Sequence, residues 1–191
     1  MPVSSLPVTT TVRSQWGKQQ GYTLLEMLIV AAIIVLVATL ALPSLSTDDA
    51  DSLDAATSEV VAAVRFAHSE AIRTGVPHGV YATQISQRIR IYSLPVPGTP
   101  IYDVYDPLTK QLYDLNYSTG TSDVAISSVY FKFKDFWLPQ SYLGFSGGTG
   151  IPKYNDSGTI RMLETAYIRL SHNGVQRTIS ISPMTGRVTV Q

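Results

Sequence analysis

The sequence predicts an α+β fold: a long N-terminal helix, half transmembrane and half amphipathic, packed on a C-terminal antiparallel β-sheet domain. Three observations predict it. Between Met27 and Leu42 there is one hydroxyl, Thr39, and no charge. Farther on, Leu53, Ala56, Val60, Val64, Ala67 and Ala71 recur every three or four residues, the spacing of one helix face. After Gly75 the apolar period becomes two, and Asn173-Gly174 separates two alternating runs as a hairpin turn does.

Taken in order, residues 1–21 carry Pro2, Pro7 and many Ser and Thr, with no helical or strand period. Residues 22–43 form an apolar segment of about 21 residues, long enough to cross a hydrocarbon core as a helix. An ordinary secretory signal places its small cleavage residue after the apolar run. Here Gly21 precedes it, so cleavage there would leave the helix on the mature chain. Arg13 and Lys18 lie before the segment, and Asp48, Asp49, Asp51 and Asp54 follow it. The positive-inside rule puts the N-terminus in the cytoplasm and the rest outside.

Pro43 lacks a backbone N–H and should bend or locally melt the helix. The polar stretch from Ser44 to Asp51 reads as a fraying, solvated linker. Residues 44–75 otherwise make the amphipathic half, with Gly75 as terminator and Pro77 forbidding continuation. Unbroken from Tyr22 to Thr74, the helix would be about 80 Å long at 1.5 Å per residue.

Residues 76–191 read as a β-rich head. Gly79–Gln84 and Arg88–Ser93 form a first hairpin, and Ser128–Phe136 alternates with Phe131 and Phe133 on one side. Thr165–Ser171 and Val175–Ser182 flank Asn173-Gly174, and a turn at Thr185-Gly186 leads into Arg187–Val190. Gly144 to Gly150 is Gly-rich, and Pro152 breaks the chain after it. Leu94 to Ser127 is the least periodic part, an excursion longer than ordinary loops, and residues 94–143 suggest no role.

Composition narrows the function classes. The 191 residues carry 14 acidic and 14 basic side chains and no Cys. Disulfides, thiolate metal sites and Cys nucleophiles are excluded. Loss of residues 1–21 would remove two of the basic residues, leaving a slightly acidic chain, so DNA is not expected as a partner. His68, His78 and His172 lack metal-ligand spacing and read as surface or boundary histidines. Gly144-Phe-Ser-Gly-Gly148 has the letters of a nucleophile elbow around Ser146, but no helical period follows. The same glycines lack the lysine of a phosphate loop. Lys132 and Lys134 beside Tyr130, Phe131 and Phe133 read as the solvated face of an amphipathic strand. No catalytic residue, cofactor or metal site is predicted.

One residue in the apolar segment stands out. Glu26 is ionisable, and a carboxylate in lipid needs a cationic partner or a proton. With the basic leader, Gly21 and the hydroxyl of Thr23, the run Gly21-Tyr22-Thr23-Leu24-Leu25-Glu26 resembles the processing site of type IV prepilins and type II secretion pseudopilins. The resemblance implies cleavage after Gly21 by prepilin peptidase and methylation of the new amine at Tyr22. It further implies a distorting Pro43, a pilin-like fold, and assembly with other subunits on an inner-membrane platform. Glu26 would be neutralised in the filament by the Tyr22 amine of a neighbouring subunit.

Arg65, Ser69, Glu70, Ala71, Ile72, Arg73 and Gly75 resemble the helix end of the GspH/FimT group of minor subunits, and Ile179 to Val188 resembles that group's terminal strands. The expected function is a minor pseudopilin or minor pilin, with the head in the periplasm. A DNA-binding minor pilin for natural transformation is the alternative. A membrane-anchored hydrolase using Ser146 is a third reading.

Overall fold

The computed structural model describes residues 23–41, 47–95, 99–118, 123–156 and 158–191. It divides into two units, Met1–Pro43 and Ser44–Gln191. In the first, helix α1 covers Leu24–Ala41. Among the described residues no helix is long and apolar enough to cross a membrane. The 18 residues of α1 rise about 27 Å, short of a hydrocarbon core about 30 Å thick. The rest of the predicted 22–43 segment, with Tyr22 and Pro43, lies outside the described residues.

In the second unit, helix α2 covers Thr47–Thr74. It begins earlier than the predicted linker allows, and the acidic run is helical. Carboxylates are favoured in a first helical turn, where unpaired N–H groups carry partial positive charge. Asp54 also pairs with Arg177, Oδ1 to Nε 2.9 Å. The predicted apolar stripe is the buried face: Leu53, Ala56, Val60, Val64, Ala67 and Ala71 all join the core. Val61 and Ala63 widen it, and Thr57 is tolerated there because its hydroxyl donates to Leu53 O at 2.6 Å.

Among the described residues nine strands follow: β1 His78–Thr83, β2 Arg88–Ser93, β3 Asp114–Asn116, β4 Ala125–Phe133, β5 Tyr142–Phe145, β6 Pro152–Asp156, β7 Thr159–His172, β8 Val175–Ile181 and β9 Val188–Val190. All pairings are antiparallel, in the order β3-β2-β1-β5-β6-β7-β8-β9, with β4 also on β7. The 14-residue β7 changes partner along its length. Thr159–Met162 pairs with β6, and β4 and β8 flank the remainder. Val80, Ala82, Ile89, Ile91, Phe131, Phe133, Leu143, Phe145, Ile168 and Ile179 share one core with the buried face of α2.

The turn chemistry follows the sequence. In Asn173-Gly174 both residues adopt positive φ, 46° and 83°, as a two-residue hairpin loop between His172 and Val175 requires. Pro152 departs from its predicted role. It opens β6 opposite Phe145, and the first position of a strand tolerates the missing N–H.

Candidate functional site

Thr23 starts α1. Its carbonyl accepts from the N–H groups of Glu26 and Met27, at 3.0 and 3.2 Å, and its hydroxyl oxygen accepts from Glu26 N–H at 3.2 Å. Thr-x-x-Glu is the spacing of a capping box, and a carboxylate in the first turn suits the helix dipole. The Glu26 carboxylate thus lies in the first turn of α1. From Leu24 to Val37 every side chain is exposed. A helix apolar on all sides has no stable place in water and needs lipid or other apolar helices around it. Gly21, Tyr22 and Pro43 fall outside the described residues, so of the four candidate processing and assembly residues the structure places Glu26 alone.

The other candidates are accounted for by packing. Ser146 lies in a loop between strands β5 and β6, where a nucleophile elbow would need a helix next. That loop ends α2 instead. Gly148 N–H donates to Ala71 O at 2.9 Å, satisfying a carbonyl of the last helical turn. Gly147 presses against the helix terminus so closely that a Cβ there would lie 1.9 Å from Gly75 O. Close approach to the helix end thus explains Gly147, whereas Gly148 supplies a positive φ of 77°.

His78 and His172 are buried, contrary to the surface or boundary prediction, at 7% and 4% exposure. Each ring is fixed by a backbone carbonyl: His78 Nδ1 lies 2.8 Å from Val76 O and His172 Nδ1 lies 2.9 Å from Asp123 O. A buried imidazole nitrogen facing a backbone carbonyl has a hydrogen-bond partner. His68, partly buried, packs edge-on against Phe145 with centroids 5.2 Å apart. Among the described residues no group of three His, Asp or Glu could hold a metal.

The basic side chains do not gather into one patch. Lys132 pairs with Glu164 at 3.3 Å, and Arg177 with Asp54. Arg88 and Arg90 both reach Asp114, the latter at 3.4 Å. Glu70 is held below its ordinary carboxylate value of 4.5, chiefly by its hydrogen bonds with Arg73 at 2.6 and 3.0 Å.

Sequence reasoning missed the face of the sheet turned away from α2. Gly79 pairs with Tyr92 on one side and Gly144 on the other, and Gly144 pairs with Lys153. Tyr92 lies across both glycines, and burial pushes its phenol well above the ordinary tyrosine value. Glycine inside two strand patterns was the available signal, since it marks close approach.

A protein-family description, the prokaryotic N-terminal methylation motif, matches residues 16–42. This chain carries that prepilin motif. The matched stretch includes Gly21, Tyr22 and Glu26, and it ends within the apolar run. Among solved structures, the minor pseudopilin EpsH from the Type 2 Secretion System of Vibrio cholerae is similar at 12% identity and a TM-score of 0.47. The match covers 73% of this chain and 96% of that one. No curated protein matches the sequence.

Proposed function

We propose that this chain is a minor pseudopilin or minor pilin, a structural subunit processed by prepilin peptidase and assembled through its N-terminal helix. The methylation motif over residues 16–42 carries the reading. The physics of α1 supports it: a helix apolar all round, with one carboxylate in its first turn, suits both a bilayer and a bundle of like helices. On this reading Gly21 is the cleavage residue, Tyr22 bears the methylated amine, and Pro43 distorts the helix beyond the bilayer. The subunit is anchored in the inner membrane with its N-terminus in the cytoplasm and the head in the periplasm. It meets other subunits there, and an assembly platform extracts it.

The Tyr22 amine of one subunit neutralises Glu26 of the next. A carboxylate left unpaired in lipid is costly, so the pairing selects subunits in correct axial register. Separating insertion from assembly tests this. Glu26→Ala should insert and be cleaved normally, yet appear in sheared filaments at a small fraction of the wild-type level. Full incorporation would rule out the pairing. The DNA-receptor alternative draws no support from the comparisons, and the basic side chains are dispersed or paired with carboxylates.

A further inference from the structure

On the sheet face away from α2, one cross-strand row reads Tyr92, Gly79, Gly144, Lys153, Met162, from β2 to β7. Two adjacent glycines leave the pleat without side chains, so the row sinks into a trough. Tyr92 lies along it: a Cβ at Gly79 would sit 2.4 Å from the Tyr92 hydroxyl oxygen, and one at Gly144 would sit 3.4 Å from it. Pro77, Leu94, Pro100, Tyr142 and Ile160 wall the trough, which encloses about 450 Å³. That volume lies within the range of small-ligand sites, roughly 300–1,000 Å³.

Three side chains on this lining bring hydrogen-bond donors. Tyr92 is 2% exposed, yet its hydroxyl makes no hydrogen bond to any described residue. Among the described residues Lys153 forms no ion pair and no acidic side chain lines the trough. Asn155 accepts from Gly158 N–H through Oδ1 at 3.0 Å, which leaves its NH₂ as a donor. A lone ammonium, a hydroxyl open to the trough and an amide NH₂ on one apolar trough suit one monoanionic acceptor attached to an apolar body.

We propose that this trough binds the C-terminal residue of a partner polypeptide, with an apolar side chain against Leu94, Pro100 and Ile160 and the carboxylate at Lys153 and Tyr92. An internal Asp or Glu fits poorly, because it would bring two flanking peptide groups into apolar surroundings. The strands beneath pair with one another and offer those peptides no free edge. The proposal does not depend on the filament reading.

The test titrates the full chain in lipid nanodiscs with the tripeptide Ala-Ala-Phe, its C-terminal amide and 3-phenylpropanoate, following isoleucine methyl resonances. The tripeptide should shift Ile160 saturably and leave Ile89, on the core face, unmoved. The amide should bind about tenfold more weakly, the size expected for losing a charge-assisted hydrogen bond. Lys153→Met should abolish the preference for acid over amide. Tyr92→Phe, which removes no hydrogen bond to any described residue, should weaken the acid severalfold. Equal binding of acid and amide, an unmoved Ile160, or unchanged binding in Lys153→Met would overturn the proposal. Phenylpropanoate binding as tightly as the tripeptide would also overturn it, by making this a site for free small acids.

Discussion

Gly147→Ala tests whether the Gly-rich loop exists to close the end of α2. The new methyl group would sit 1.9 Å from Gly75 O, 2.5 Å from Gly75 C and 3.1 Å from Val76 C, all backbone atoms that no rotamer change can move aside. The loop would have to retreat. Retreat stretches the Gly148 N–H to Ala71 O bond, now 2.9 Å, and uncaps the helix. Overpacking strain costs roughly 1–3 kcal/mol. Loss of one partly sheltered hydrogen bond adds roughly 1 kcal/mol. The substitution should therefore destabilise the head by about 2–4 kcal/mol, a large share of ordinary domain stability. Gly148→Ala is the control, for it has open space around it and a positive φ of 77°. It should cost only about 1–2 kcal/mol, the penalty for a Cβ in left-handed backbone. Pulse proteolysis in urea on both variants reads the difference. A Gly147→Ala protein as stable as wild type, or more stable than Gly148→Ala, would refute the capping role.

Other perturbations separate core, turn and charge effects. Phe131→Ala, at a fully buried position, should lose about 3–5 kcal/mol in the same assay. Gly174→Ala, at φ 83°, should lose about 1–2 kcal/mol, with the urea midpoint shifting and its slope unchanged. The Glu70–Arg73 pair gives a pH dependence. Because Glu70 is held below its ordinary value, its contribution is complete above pH 4.5 and fades as pH falls through the lower folded value. Arg73 is mostly exposed, so Arg73→Leu should lower stability at pH 7 only slightly. The difference should vanish in more acidic urea titrations. Gly21→Ala should leave the leader on most of the chain, seen as a slower band on a denaturing gel.

The elements legible in the sequence are those defined by local spacing. The Leu53-to-Ala71 stripe is one helix face, and helical geometry alone places it in the core. Asn173-Gly174 names its own turn, since both residues tolerate positive φ. What stayed hidden depends on pairings between distant residues. The first four residues of β7 are held by β6, and β3 is a three-residue strand recruited by β2 from within the aperiodic stretch from Leu94 to Ser127. Pro152 looked like a break because its role as first residue of β6 depends on β5. His78 and His172 found carbonyl partners that composition could not reveal. The same limit applied to the sites. Gly21, Tyr22 and Glu26 form a contiguous motif and were readable, whereas the Gly79–Gly144 trough joins two distant strands.

The central claim is that the chain is a prepilin-type subunit that keeps α1 after processing. Intact mass and N-terminal peptide sequencing, after coexpression with a prepilin peptidase, test it most directly. The account predicts a mature chain beginning at Tyr22, heavier by one methyl group on its amine. A chain still carrying residues 1–21, or one cut beyond α1, would contradict it.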